Sequence, residues 1–292
     1  MDVIKTADII YFSGTGGTAK VALALEKELI KNNITVNTYE LKGEFKEEIQ
    51  GDLLIILFPV YAANAPKSID EWVKAAAFGK GKKSAVISVS GGGEMIFNTA
   101  CRLSTIKSLA KNGYDVFYEE MFVMPTNCLM ANSDELNAML LNVLPQKAHK
   151  AVRQIITGNL HTKKPLIIDR LITKVMLIEK YASKLFGKHL TANDDCNGCS
   201  LCADNCPRNN IIMKNQKPVF NGSCVICLKC IYSCPQKAIM SKYIKSFIIK
   251  EGFNINAIEE KAKSIKNYQP AKEAAKGFLY KGVRKYLEIE GY

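Results

Sequence analysis

The chain has 292 residues, 48% of them apolar, with 40 basic and 28 acidic side chains for a formal charge of +12. That length and apolar share exclude a disordered chain and predict two domains with a sizeable core. A basic balance alone is weak evidence for nucleic-acid binding. No helix-turn-helix, RNA-recognition motif or aromatic-rich basic groove accompanies it, so no nucleic-acid partner is expected. The opening MDVIKTADIIYF has an acidic residue at position 2 and no basic lead before a long apolar run, which predicts a cytoplasmic chain without a secretory signal. In a reducing compartment ten cysteines read as metal ligands or reactive thiols before they read as disulfides.

The first element is an apolar run, ADIIYF (7–12), followed by SGTGGT (13–18) and AKVALALEKELIKNN. This is strand, glycine-rich turn and helix. The turn offers backbone N–H groups at a helix N-terminus and three hydroxyls, on Ser13, Thr15 and Thr18, which suits a phosphate without a basic side chain. It lacks the GK[ST] ending of a Walker loop and the GxGxxG spacing of dinucleotide folds. Further strands are predicted at 34–41, 52–60, 83–90 and 114–123, separated by helical patterns. Five parallel strands in a three-layer α/β sandwich follow, with ligands expected at the C-terminal strand ends. PVYAANAP (59–66) and SGGGE (90–94) sit at two of those ends, and Glu94 reads as a solvated helix-start residue. Cys101 and Cys128 stand apart from any ligand spacing and read as buried small hydrophobes.

Residues 1–160 resemble flavodoxins, whose first loop of the form [ST]xTGxT is matched by Ser13, Thr15, Gly16 and Thr18. The resemblance implies FMN. Its phosphate would be held by Ser13, Gly14, Thr15, Gly16, Gly17 and Thr18. Its ring would be bordered by Pro59, Val60, Tyr61, Ala62, Ala63 and Asn64, with Tyr61 stacking, and by Ser90, Gly91, Gly92 and Gly93 opposite. The chain departs from simple flavodoxins in having Ala62, Ala63 and Asn64 where a glycine usually lies beside the flavin, and three glycines in the later loop. Gly91–Gly93 are expected to leave one face of the ring uncovered, so that a partner or another domain can approach.

Residues 141–189 carry ten basic and two acidic side chains. Ile168, Leu171, Ile172, Val175, Ile178, Ala182 and Leu185 recur at helical spacing, interrupted by Asp169, Arg170, Lys174 and Glu179. The segment 161–189 therefore reads as a basic amphipathic helical linker packed between domains. It is too broken to span a membrane but leaves room for peripheral membrane contact or an acidic partner.

Eight of the ten cysteines fall between Cys196 and Cys234, in CNGCSLCADNCP (196–207) and CVICLKCIYSCP (224–235). Both have the spacing CxxCxxCxxxCP, and each is followed by a short apolar strand, NNIIM or KAIM. Four-cysteine zinc sites are the competing reading, although zinc usually takes separated CxxC pairs. Residues 190–242 closely resemble two-cluster bacterial ferredoxins, in which the fourth cysteine of each run serves the other centre. The resemblance implies one [4Fe-4S] cluster on Cys196, Cys199, Cys202 and Cys234, and a second on Cys224, Cys227, Cys230 and Cys206.

Residues 243–292 form a C-terminal extension read as two helices over 254–291, either covering the cluster domain or making an oligomer contact. The whole resembles flavodoxin–ferredoxin fusions of anaerobic bacteria and archaea. Electron transfer between two [4Fe-4S] clusters and FMN is expected, with a redox protein or small molecule as donor or acceptor. One alternative is a flavin-dependent oxidoreductase acting on a quinone, flavin or small organic acceptor. Another is a redox sensor binding through the basic stretch.

Overall fold

The structure is a computed structural model that describes residues 4–43, 48–96, 98–241, 243 and 245–292, with the backbone alone at 179–181. The side chain of Glu179 and the domain boundary expected at 242 lie outside the described residues.

The first unit runs β1 (Thr6–Tyr11), α1 (Gly17–Lys31), β2 (Thr35–Glu40), β3 (Leu53–Pro59), α2 (Lys67–Ala75), β4 (Lys83–Ser90), α3 (Leu103–Lys111), β5 (Asp115–Val123) and α4 (Asp134–Ile156). All five strands are parallel in the order β2-β1-β3-β4-β5. This is the flavodoxin-like order, with its switch point between β1 and β3, where ligands are expected. Leu53 to Phe58 of β3 are completely buried, because helices cover both faces of the sheet. Ile9, Ile55 and Ile87 face α1 and α4, while Ile10, Ile56 and Val86 face α2 and α3. The period of two in the strands thus assigns each apolar side chain to a layer.

After α4, His161 returns to the sheet edge, donating its N–H to Phe117 O and accepting from Glu119 N. Two helices follow, α5 (Ile167–Met176) and α6 (Ile178–Lys188). The apolar stripe predicted to pack between domains does not do so on α5. Ile167, Val175 and Ile178 are 77%, 63% and 68% exposed, whereas Asp169 is fully buried. The polar side of α5 is turned inward because Asp169 accepts hydrogen bonds from the backbone N–H and hydroxyl of Thr99, and the Thr173 carbonyl accepts from Asn64. Helix α6 does pack inward at its end, where Phe186 joins the core of the cysteine-rich unit.

That unit comprises β6 (Thr191–Ala192), α7 (Leu201–Asp204), β7 (Ile211–Lys214), β8 (Lys217–Phe220), α8 (Lys229–Tyr232) and β9 (Ile239–Met240). β6 pairs with β9 and β7 with β8, each antiparallel. The sequence repeat is also a backbone repeat. Gly198, Ser200 and Asn209 are left-handed (φ 74°, 63° and 47°), as are the equivalent Ile226, Leu228 and Lys237 (φ 53°, 62° and 49°).

The C-terminal segment forms three helices rather than two, α9 (Ile255–Ala262), α10 (Ala271–Ala274) and α11 (Lys281–Ile289). They pack largely on the first unit, and the residues leading into α9 also touch the cysteine-rich one, Phe253 meeting Tyr232. Phe253, Ile255 and Ala262 enter the core shared by α1 and α4. Ala271, Val283 and Leu287 close the other side of α4 against Leu136, Met139 and Val143. The α4 surface is apolar on two sides, so a second layer of helix is needed to remove it from water. Leu287 is completely buried there, and Leu287→Ala should cost about 2–5 kcal/mol. Chemical denaturation followed by circular dichroism is expected to show that loss within the transition of the first unit. An unchanged midpoint would mean that the tail contributes nothing to this core.

Candidate functional site

The loop after β1 enters α1 through Gly16, which is left-handed at φ 98°. The Ser13 hydroxyl accepts from Ala19 N, and the Thr15 hydroxyl accepts from the Asn127 side-chain amide. No acidic side chain stands in the first turn of α1, where the helix leaves its first N–H groups without intrahelical partners. This loop lines a cavity of about 440 Å³, within the size range of small-ligand sites. Its other walls are Lys229 and Tyr232 of α8 and Phe253 to Asn256 at the start of α9. The first unit therefore does not form this cavity alone.

The loop after β3 is a tight turn. Tyr61 and Asn64 exchange backbone hydrogen bonds of 2.9 Å in both directions, with Ala62 and Ala63 left-handed between them at φ 42° and 57°. Two consecutive left-handed residues are the geometry of a type I′ turn, which favours glycine or asparagine. Alanine there stores backbone strain. The turn holds Tyr61 edge-on to Phe12 and brings its hydroxyl to the first loop.

Asn64 bonds the Thr173 carbonyl, and among the described residues Asn64 Oδ1, Thr173 Oγ1 and, one turn earlier on α5, Asp169 Oδ1 are buried without hydrogen-bond partners. Buried polar atoms are nearly always satisfied, so orphans grouped in this way fit the edge of a bound polar ligand. Asp169 and Thr173 were missed by the sequence reading. The signal that could have found them is the pair of polar residues one helical turn apart, opposite an apolar stripe.

The third loop, Ser90 to Gly93, neighbours the first through Thr126 and Asn127. A Cβ on Gly91 would lie 2.6 Å from Thr126, whose neighbour Asn127 holds Thr15. Within the loop Gly91 and Gly92 are half-buried and Gly93 is buried. A Cβ on Gly93 would stand 2.4 Å from the carbonyl carbon of Gly282, because the start of α11 seats its backbone directly on this loop. Glu94 is not a solvated residue. It pairs with Arg102 at 2.6 Å and Lys163 at 2.8 Å. Burial pushes its carboxyl up, but these two cations outweigh burial and hold it below the usual carboxylate range. Arg102 is itself fully buried and also bonds Glu119 and Ser88. Cys101 is buried and Cys128 half-buried, both with thiols pushed up by burial.

The eight clustered cysteines form two groups. One cavity is walled by Cys196, Cys199 and Cys202 of the first run and Cys234 of the second. The other is walled by Cys224, Cys227 and Cys230 with Cys206. The left-handed positions turn backbone amides toward sulfur, with Ile226 N donating to Cys224 at 3.4 Å. The fourth cysteines are treated alike, Asn210 N donating to Cys206 at 3.3 Å and Ala238 N to Cys234 at 3.4 Å. Burial first, then neighbouring cysteines, pushes the Cys227 thiol up to about 12, and burial is also the main cause for Cys224, at about 11. Among the described residues no three ligating side chains come close enough to share a single metal ion. The thiols stand around the two cavities, each walled by three cysteines of one run and the fourth of the other.

The two kinds of site share a wall. A Cβ on Gly14 would lie 2.6 Å from Tyr61 Oη and 2.7 Å from the carbonyl oxygen of Cys227. Cys227 and Val225 belong to the same buried cluster as Phe12, Phe58 and Trp72. Arg208 beside the same cavity pairs with Glu71 of α2 at 2.7 Å, and Gly43 donates to the Pro207 carbonyl.

No protein-family profile matches the chain. Its cysteine-rich part is 42% identical over 59 residues to an uncharacterized polyferredoxin-like protein of Methanocaldococcus jannaschii, covering 20% of this chain. The chain thus spans about a quarter (26%) of the curated relative it matches. Among solved structures it is similar to an archaeal flavodoxin, at 12% identity over 51% of this chain and 98% of that one, with a TM-score of 0.36. A Streptococcus pneumoniae TIGR4 flavodoxin is 18% identical over 51% and 99%, with a TM-score of 0.37. The rubredoxin oxygen:oxidoreductase of Desulfovibrio gigas is 15% identical over 53% and 37%, with a TM-score of 0.38.

The strain at the second loop can be measured. Ala62→Gly and Ala63→Gly should each raise the unfolding free energy by up to about 1 kcal/mol, the left-handed penalty less the added chain entropy of glycine. Thermal unfolding of the two variants checks this, and a loss of stability in both would mean that the turn is not strained.

Proposed function

We propose that the chain is an electron-transfer protein carrying FMN in a flavodoxin-like unit, residues 1–160, and two [4Fe-4S] clusters in a ferredoxin-like unit, residues 190–242. Segment 161–189 links the two, and 243–292 completes the first. Ser13 to Thr18 hold the FMN phosphate, and Pro59 to Asn64 and Ser90 to Gly93 flank the ring. Cys196, Cys199, Cys202 and Cys234 hold one cluster. Cys224, Cys227, Cys230 and Cys206 hold the other. Flavin exchanges electrons one or two at a time and each cluster exchanges one, so the pair couples one-electron carriers to a two-electron centre.

The observation that carries this reading is the shared wall at Gly14, where the Cys227 loop lies on the first glycine loop with the Tyr61 hydroxyl against it. Contact between two candidate redox sites has no use in a purely structural metal domain. The chain's own contribution is positional. Tyr61 is fixed by its turn, Thr15 by Asn127, and Cys227 by burial among Phe12 and Trp72. The reductase reading depends on an accessible third loop, and the seating of Gly282 on Gly93 favours a carrier instead. Its partner is a redox protein or a small-molecule donor or acceptor.

Anaerobic purification with metal and flavin analysis tests the assignment. About eight irons and one FMN per chain are expected, and two zincs without iron would overturn it. Crossed ligation has its own test. Cys206→Ser and Cys227→Ser should each remove about half the iron, and the double variant should lose no more than either alone. Cys206→Ser combined with Cys199→Ser should lose both clusters. The reverse pattern would assign Cys206 to its own run.

A further inference from the structure

Helix α5 is amphipathic in the reverse sense for a helix packed on a protein. At 100° per residue, Ile167, Ile168, Leu171 and Val175 share one side, and Asp169 and Thr173 lie almost diametrically opposite. The polar side is buried, and the apolar side is in water, with Ile168 and Leu171 also more than half exposed. The stripe continues into α6 through Ile178 and Leu185, and Leu166 precedes it. Large apolar side chains left in water along one side of a helix mark an interaction surface.

Among the described side chains of 164–188 the exposed charges have one sign. Lys164, Arg170, Lys174, Lys184 and Lys188 are exposed, and the acidic side chain of α5, Asp169, is sealed inside. Among the described side chains of 164–188 no acidic group is exposed. Arg170 and Lys174 lie one turn apart along the border of the stripe, where long basic side chains reach headgroups while the apolar side chains insert. A second copy of this chain would set these cations against their own kind. An apolar surface ringed by cations is complementary to the headgroup boundary of an anionic bilayer.

We infer that α5, together with Ile178, docks the protein peripherally on an anionic membrane surface, lying in its plane. Among the described residues no helix is long and apolar enough to cross a membrane, so this contact is one of adsorption. Helix α5 touches both the second loop, through Asn64 and Thr173, and the segment after the third, through Thr99 and Asp169. Adsorption therefore turns the side of the first unit that carries these loops toward the lipid.

Flotation of the full chain with vesicles tests the inference, comparing phosphatidylcholine alone with phosphatidylcholine mixed with phosphatidylglycerol. Binding to the anionic vesicles that falls with salt is expected. Ile168→Glu and Val175→Glu should each weaken it at least tenfold, about 1.4 kcal/mol, at unchanged thermal stability, since both sites are exposed. Arg170→Gln and Lys174→Gln should each weaken it roughly fivefold. Absence of binding to anionic vesicles, equal binding to neutral ones, or binding that survives both glutamate substitutions overturns the inference. So does a concentration-dependent dimer abolished by Leu171→Glu in a chain that does not float. These readouts are independent of bound iron and flavin, so they fail or succeed separately from the redox assignment.

Discussion

The absence of a side chain at Gly14 fixes how closely the two halves meet. The Cys227 backbone and the Tyr61 hydroxyl occupy the space a Cβ would need, so any other residue would push the cysteine loop off the flavodoxin-like unit. Everything on that side follows from this approach. Val225 and Cys227 enter the core of Phe12 and Trp72, Arg208 reaches Glu71, and Lys229 and Tyr232 close the cavity that the first loop opens. Much of the interface is apolar and buried like a domain interior, which leaves little freedom for the halves to move apart.

The backbone was readable from the sequence because it rests on two periodic signals. Apolar runs separated by glycine turns and helical patterns mark five strands, and the sheet orders them as a doubly wound fold requires. The repeated cysteine spacing marks the two runs, and each of the two cavities is lined by cysteines of both. The orientation of α5 was not readable, since an apolar stripe normally faces a core. Only the long-range bonds of Asp169 to Thr99 and of Asn64 to Thr173 turn it outward. Glu94 was misjudged for a related reason. Its partners Arg102 and Lys163 lie 8 and 69 residues away, and nothing local marks them. The seating of Gly282 on Gly93 is a contact between two glycines almost two hundred residues apart, which sequence spacing does not encode.

The duplicated cysteine runs show where local geometry overrules residue preference. The first run places Gly198 at its first left-handed position, but the second places the β-branched Ile226 there in the same conformation. Isoleucine strongly disfavours that region. The amide of Ile226 donates to Cys224 Sγ, and its side chain packs in the core of the small unit. The need to direct an amide at sulfur, together with burial, outweighs the intrinsic preference of the residue.

The first unit is discontinuous along the chain. Its sheet and α4 are complete by residue 161, and α4 packs there on the sheet and α1, but its remaining apolar surface is covered by residues 249–287. During synthesis from the N-terminus, α4 must wait with that surface in water until the cysteine-rich segment has been made. The cysteine-rich unit is thus an insertion whose ends are clamped by later contacts of high sequence separation, which are slow to form. Both cysteine runs are therefore synthesised before the residues that close this surface of α4.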